Sequence, residues 1–235
     1  MDSDRMFSFI TDKVNAVYGC NHGCYHGNCW ANQVALKLQK QGMKKYNMGF
    51  TPSFDEKALD KKFKAGHFVF ISDMGDLFGD WVPALWIDKT INMVRCSPEA
   101  KFLFLTKNPI RYFDFNFPDN CVLGATIETN RYYEGFSKAP RTLDRYLCMR
   151  DLDFKHKFIS IEPIMDFDLT EFYTWIVSIG PEMVAIGYAN LGPNELPEPQ
   201  LVDTERLISK LSSVGIRIFR KTIREAKKRW ALYKK

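Results

Sequence analysis

Residues 68–76 read Phe68-Val69-Phe70-Ile71-Ser72-Asp73-Met74-Gly75-Asp76, four apolar residues passing directly into a serine and two aspartates. A run that is apolar at every position, rather than at alternate ones, predicts a short strand covered on both faces, as in a parallel sheet. The same pattern recurs in both directions along the chain. Val14–Tyr18 precedes it, and Lys101–Thr106, Val122–Thr129, Lys157–Glu162, Met183–Tyr188 and Ile216–Arg220 follow. Between these runs lie helical patterns at Trp30–Gln41, Pro83–Arg95, Arg141–Asp151, Leu169–Ile179 and Thr204–Ser213. Alternating strand and helix predicts parallel strands joined by helical crossovers, either in a closed or partial barrel or in an open doubly wound sheet. The reading adopted is α/β, a partial (βα) barrel of six to seven parallel strands. Residues 1–235 are read as a single domain without repeat or linker, with an irregular stretch at Gly42–Ser53 and a turn-rich loop at Gly192–Pro199.

The chain has 235 residues, 46% hydrophobic and 26% charged, a balance that excludes disorder and fibrous repeats. No apolar run approaches the ~18 residues of a membrane helix, and the first ten residues lack the pattern of a secretion signal, so no membrane partner is expected and the location expected is cytoplasmic. The net charge of +5 is local: Arg217–Lys235 holds nine basic residues against Glu225, leaving the remainder acidic. Within that tail, residues 222–235 predict a basic C-terminal helix. Ile223, Ala226, Trp230 and Tyr233 would form its apolar stripe, with Arg224, Lys227, Lys228 and Lys234 on other faces. Such a surface is either a solvated face or a means of steering nucleic acid.

The predicted strands end in polar residues: Asp73 and Asp76, Lys107, Glu128, Glu162, Tyr188 and Asn190, and Arg220. In a parallel α/β fold these C-terminal ends share one rim, which makes them a candidate pocket. Glu162 and Lys107 are the candidate catalytic residues. A carboxylate at a strand exit needs a partner, and for Glu162 the expected one is Lys107 or Arg220. Glu128 suits either a ligand contact or a structural ion pair. His67 and His156 precede strands and belong to the opposite rim, where a surface role is expected.

The first predicted strand runs straight into Gly19-Cys20-Asn21-His22-Gly23-Cys24-Tyr25-His26-Gly27-Asn28-Cys29-Trp30-Ala31. Three cysteines within ten residues, spaced by glycines that let the backbone turn tightly, point to a metal or a cluster. A disulfide framework is not expected in an intracellular chain of this size, and Cys96, Cys121 and Cys148 read as buried thiols. Zinc held by three thiolates and His22 or His26 is one possibility. The lack of a second ligand pair and of a fourth cysteine suits an iron–sulfur cluster with one open iron.

A three-cysteine loop after the first strand of a βα barrel resembles the radical S-adenosylmethionine superfamily. Within it, the order GCxxGCxxxxCWA, FVFISDMGDLF, FLFLTKNP, LGATIET, FISIEPIM and FRKT resembles an uncharacterised family found in phages and bacteria. The resemblance implies a [4Fe-4S] cluster held by Cys20, Cys24 and Cys29, with S-adenosylmethionine on the fourth iron and an external electron donor. It also implies reductive cleavage to a 5′-deoxyadenosyl radical that abstracts hydrogen from a substrate. The cysteine spacing here is longer than the superfamily's usual one, and Ser72–Asp76 stands where a glycine-glycine-glutamate signature is usual. Asp73, Asp76, Glu128, Tyr25 and Trp30 are accordingly the candidate contacts to the cofactor. The expected function is therefore a radical enzyme acting on an unidentified substrate, with nucleic acid or a nucleotide as the candidate class. The alternative is a zinc-containing nucleic-acid-binding protein without catalysis.

Overall fold

The computed structural model describes residues 7–27, 29–190 and 196–227. Seven parallel strands form one sheet and are neighbours in space in the same order as in sequence. These are β1 (Asp12–Val14), β4 (Phe68–Ile71), β5 (Lys101–Thr106), β6 (Cys121–Thr126), β7 (Lys157–Ile161), β8 (Met183–Ile186) and β9 (Arg217–Arg220). The connecting helices are α1 (Trp30–Lys40), α2 (Ala84–Arg95), α3 (Thr142–Asp151), α4 (Leu169–Ile179) and α5 (Leu201–Ser213). Among the described residues β1 and β9 remain separate edges, so the sheet curls into a partial barrel.

Continuous apolar runs bury both faces of the central strands, whereas the edge strands β1 (DKV) and β9 (RIFR) stay partly exposed. Val69, Phe102, Phe104, Leu123, Ile159, Val184 and Ile186 pack with Ile87, Ile91, Phe172, Ile176, Leu207 and Leu211 of the helices. The alternate residues Phe70, Leu103, Val122, Phe158 and Ala185 face the interior, where Phe7 is buried among them with Phe9 beside it. The ring of Phe7 lies 5.1 Å from Phe158 and 5.8 Å from Phe70. Each such side chain contributes about 1.5–3 kcal/mol when fully buried. The interior is therefore filled by aromatic rings from the N-terminal segment. Gly124 belongs to this crowding, because a Cβ there would stand 3.0 Å from the Phe158 ring.

The predicted strand Val14–Tyr18 is in fact two elements. β1 ends at Val14, and β2 (Val17–Tyr18) leaves the main sheet to pair antiparallel with β3 (Ser53–Phe54). Asn15 causes the break: its amide donates to Asp73 Oδ1 at 2.5 Å and accepts from Met74 N at 3.0 Å, replacing ladder bonds with side-chain bonds. The stretch read as irregular thus ends in β3. A single bridge between Gly19 and Gly75 brings the cysteine loop back to the β4 exit.

The basic tail also departs from expectation. Thr222–Lys227 is not helical, and residues 228–235, including Lys228, Trp230, Tyr233 and Lys234, lie outside the described residues. Arg224 is drawn into a fork with Glu198, at 2.6 and 2.9 Å, and Lys227 N donates to the same carboxylate at 2.8 Å. A buried carboxylate requires such donors, and the Lys227 N–H is available as one because it is not bonded within a helix. Cys121 is buried, Cys148 half-buried and Cys96 exposed at the end of α2, so only the first of the three matches the reading as buried thiols. No helix among the described residues is long and apolar enough to cross a membrane.

Candidate active site

The cysteine loop is bolted to the sheet through Asp76. His22 Nε2 lies 2.8 Å from Asp76 Oδ2, which also accepts from Lys107 N at 2.9 Å. The other oxygen accepts from Thr106 Oγ1 at 2.6 Å and Phe78 N at 3.0 Å. Burial works to raise this carboxyl's pKa, but the bonds from His22, Thr106 and Lys107 outweigh it and hold the pKa below the ordinary value. His22, considered above as a zinc ligand, thus directs Nε2 to a carboxylate. Asp73, two residues after the β4 end, is bonded to Asn15 and lies 3.1 Å from Lys13 Nζ.

The loop itself turns on left-handed residues: Gly19 (φ 81°), Gly23 (φ 59°), Tyr25 (φ 56°) and Gly27 (φ 84°). At Gly19 the requirement is also steric, because a Cβ would lie 2.4 Å from the Thr51 carbonyl oxygen. Cys20, Cys24 and Cys29 are free thiols, with Cys24 buried and the other two half-buried. Burial pushes the Cys20 and Cys29 thiols up; Asp76 adds to this at Cys20, and Cys24 raises both. Among the described residues no three His, Cys, Asp or Glu side chains converge as ligands of a single ion. The donor chemistry nevertheless fits a cluster that takes one thiolate per iron: three unpaired thiols on one turned loop, close enough to influence one another, with a lysine nearby.

That lysine is Lys107, just past β5. Its ammonium is paired with Glu128 Oε1 and lies 3.1 Å from the Tyr25 hydroxyl. Burial disfavours its charge, but Cys24 and Glu128 prevail and hold its pKa well above the ordinary value. Glu128, beyond β6, is buried and receives Arg145 Nη1 at 2.7 Å and the Tyr25 hydroxyl at 2.9 Å. Burial would raise its pKa, yet Arg145 and Lys107 lower it to about 2. Lys107 is therefore paired to Glu128 and not to Glu162. Arg220 is paired to Glu205, and Glu162 meets Lys221 at 3.9 Å. Burial holds the Glu162 carboxyl above its ordinary pKa, with Lys221 opposing. Trp30, half-buried, packs beside Ala31, Ala35, Tyr46 and Met74. His67 and His156 lie on the other rim, paired with Asp12 and Glu182.

The sequence reading missed Arg145 and the segment 131–141. Arg145 sits in a helical pattern with nothing to mark it. The segment lies across the cysteine loop: Tyr25 N donates to Phe136 O at 2.5 Å, Lys138 N to His22 O at 2.7 Å, and Ser137 Oγ stands 3.3 Å from Cys24 Sγ. Ser72, one of the polar residues at the β4 exit, was assigned no role of its own in the sequence. It is left-handed (φ 59°), with a buried hydroxyl that has no protein partner.

Sheet order and topology define a partial (βα) barrel with a three-cysteine loop at the C-terminal rim. The chain belongs to the family described as Protein of unknown function (DUF5131), whose profile matches residues 6–183. Among solved structures it is similar to spore photoproduct lyase complexed with dinucleoside spore photoproduct, with a TM-score of 0.52 and 11% identity. It is also similar to a double mutant of that lyase with bound AdoMet and dinucleoside spore photoproduct, with a TM-score of 0.51 and 10% identity. Each match covers 85% of this chain and 60% of the other, so the chain spans less than two thirds of the lyase. At such identity the likeness is one of fold. No curated protein matches.

Proposed function

We propose that the chain is a radical enzyme that binds a [4Fe-4S] cluster and S-adenosylmethionine. The observation that carries this reading is the position of three free thiols, on one glycine-turned loop, at the C-terminal rim of a partial barrel. The same fold occurs in a structure with AdoMet bound. Cys20, Cys24 and Cys29 would hold three irons, leaving the fourth to the amino and carboxylate groups of S-adenosylmethionine. When bound and reduced by an external donor, this pair supplies one-electron cleavage to methionine and a 5′-deoxyadenosyl radical that takes a substrate hydrogen.

The surrounding residues have separate tasks. Asp76 and His22 fix the loop against β5, so the thiols take their position from the sheet. Lys107 places a positive charge beside the thiolates and offsets their mutual repulsion. Glu128 orients the Tyr25 hydroxyl, and these two buried residues, with Trp30 and Asp73, are the contacts we assign to the cofactor. Glu162, whose carboxyl burial holds above its ordinary pKa, and Lys107 are the groups proposed to hold or move a proton at the rim. The substrate class we favour is a nucleotide or nucleic acid, in keeping with the dinucleoside bound by the lyase.

Anaerobic reconstitution is the test. The expected outcome is iron and sulfide in a 4:4 ratio per chain on the cluster chemistry above, with charge-transfer absorbance lost in Cys20→Ala, Cys24→Ala and Cys29→Ala but kept in Cys121→Ala. Dithionite-reduced protein should form methionine and 5′-deoxyadenosine. Stoichiometric zinc without iron would establish the zinc-protein alternative instead.

A further inference from the structure

A cavity of about 250 Å³ lies between the end of β6 and the segment 129–142, next to the cysteine loop. Tyr25 forms part of its wall, and so does Ser137, whose hydroxyl touches the Cys24 thiol. The charged groups lining it are three arginines and one carboxylate. Two of the arginines are already committed: Arg145 to Glu128, and Arg131 to Asp166 and Asp168. Arg141 is exposed, and among the described residues no carboxylate stands within ion-pair distance of it. Its guanidinium instead lies over the ring of Tyr132, 4.8 Å from the centroid. Tyr132 is 62% exposed, an unusual placement for a large ring on a loop that otherwise packs inward through Tyr133 and Phe136.

A wall of aromatic rings and guanidinium groups, with one exposed cation held by a ring rather than by a carboxylate, suits a ligand that is both planar and anionic. Arginine's planar fork matches phosphate oxygens, and a stacked ring tolerates any base. The volume is below the ~300–1,000 Å³ of typical small-molecule pockets, which limits the occupant to about one nucleotide unit. We infer that this cavity is the substrate pocket and that it takes a nucleotide, with the phosphate on Arg141 and the base stacked at Tyr132. The inference rests on the radical-enzyme reading for the word substrate, since a reactive centre on the cysteine loop would have this cavity as its neighbour. The binding site itself stands on the lining residues.

The probes are the four deoxynucleoside 5′-monophosphates, titrated by calorimetry into the full chain, with and without the reconstituted cluster. Saturable binding of at least one is expected, weaker by about ten-fold or more for the matching nucleoside and for inorganic phosphate alone. Arg141→Ala and Tyr132→Ala should each weaken it by about ten-fold, whereas Tyr132→Phe should retain it. Both side chains are exposed, and circular dichroism checks that the variants are folded. No saturable binding, equal binding of nucleoside and nucleotide, unchanged affinity in both alanine variants, or displacement by S-adenosylmethionine would overturn the proposal. So would O-phosphotyrosine binding as tightly as any nucleotide. If the chain loads iron and cleaves S-adenosylmethionine but binds no nucleotide, the pocket falls and the radical reading stands. If it takes up zinc alone yet binds nucleotides through Arg141 and Tyr132, the site stands and the radical reading falls.

Discussion

Glu128 concentrates the electrostatics of the site. Two buried cations and a phenol converge on one carboxylate, so its charge is required by its neighbours as much as theirs by it. Glu128→Gln keeps the shape but leaves Lys107 and Arg145 buried without a counter-charge, at an expected cost of about 3–5 kcal/mol in urea unfolding. The pH dependence follows in sign. A carboxyl whose folded pKa is lowered to about 2 binds fewer protons in the folded than in the unfolded state over the interval below the ordinary value. Its contribution is complete above pH ~5 and is lost as the pH falls toward 2. Stability measured between pH 6 and 2 should therefore fall with acid in the wild type, and Glu128→Gln should remove part of that slope. An unchanged slope would show that Glu128 is not the group being titrated.

At the scale of the element, the cysteine loop shows how differently two glycines of similar conformation can matter. Gly19 and Gly23 both have positive φ, but a Cβ at Gly19 would strike the Thr51 carbonyl, whereas at Gly23 nothing lies within 4 Å. Gly23→Ala should therefore cost only the left-handed backbone penalty, about 1–2 kcal/mol. Gly19→Ala adds a backbone collision that the loop can relieve only by moving away from the β3 approach. Its expected effect is a larger loss of stability, together with reduced iron uptake on reconstitution. If both variants behaved alike in denaturation and iron content, the contact at Thr51 would carry no weight. The bolt through Asp76 belongs to this scale as well, since it ties the loop to the β5 exit through bonds from two segments far apart in sequence.

For the whole molecule, the interior of the partial barrel is closed by the N-terminal segment rather than by further strands. Phe7 is buried against Phe158 and Phe70, and its ring stacks on Phe9 at 5.6 Å. Phe7→Ala should remove about 3–5 kcal/mol, the usual cost of deleting a buried phenyl. The loss should appear as a lower midpoint in a single cooperative transition, because Phe7 is buried in a cluster drawn from five strands at once. A separate early transition would instead show that the N-terminal segment unfolds on its own.

Local pattern along the chain encodes most of the strands, the helices and the cysteine loop. Short apolar or β-branched runs predicted six of the seven strands close to their observed positions, and in the central ones burial on both faces leaves no alternation to misread. The helices followed from their periodicity, and the cysteine loop from three thiols among glycines. Asn15 broke the first strand because its amide found Asp73 and Met74, partners that no local pattern displays. The ion pairs were decided in the same way: Lys107 with Glu128, Glu162 with Lys221 and Arg224 with Glu198 join residues between 21 and 59 positions apart. The cavity beside the cysteines arises from a segment more than a hundred residues beyond them, with Ser137 against Cys24 at a separation of 113. Backbone propensity and burial act over neighbouring residues and can be read along a chain. Charge pairing and cavity shape depend on which strand ends meet at the rim, and the tertiary structure alone decides that.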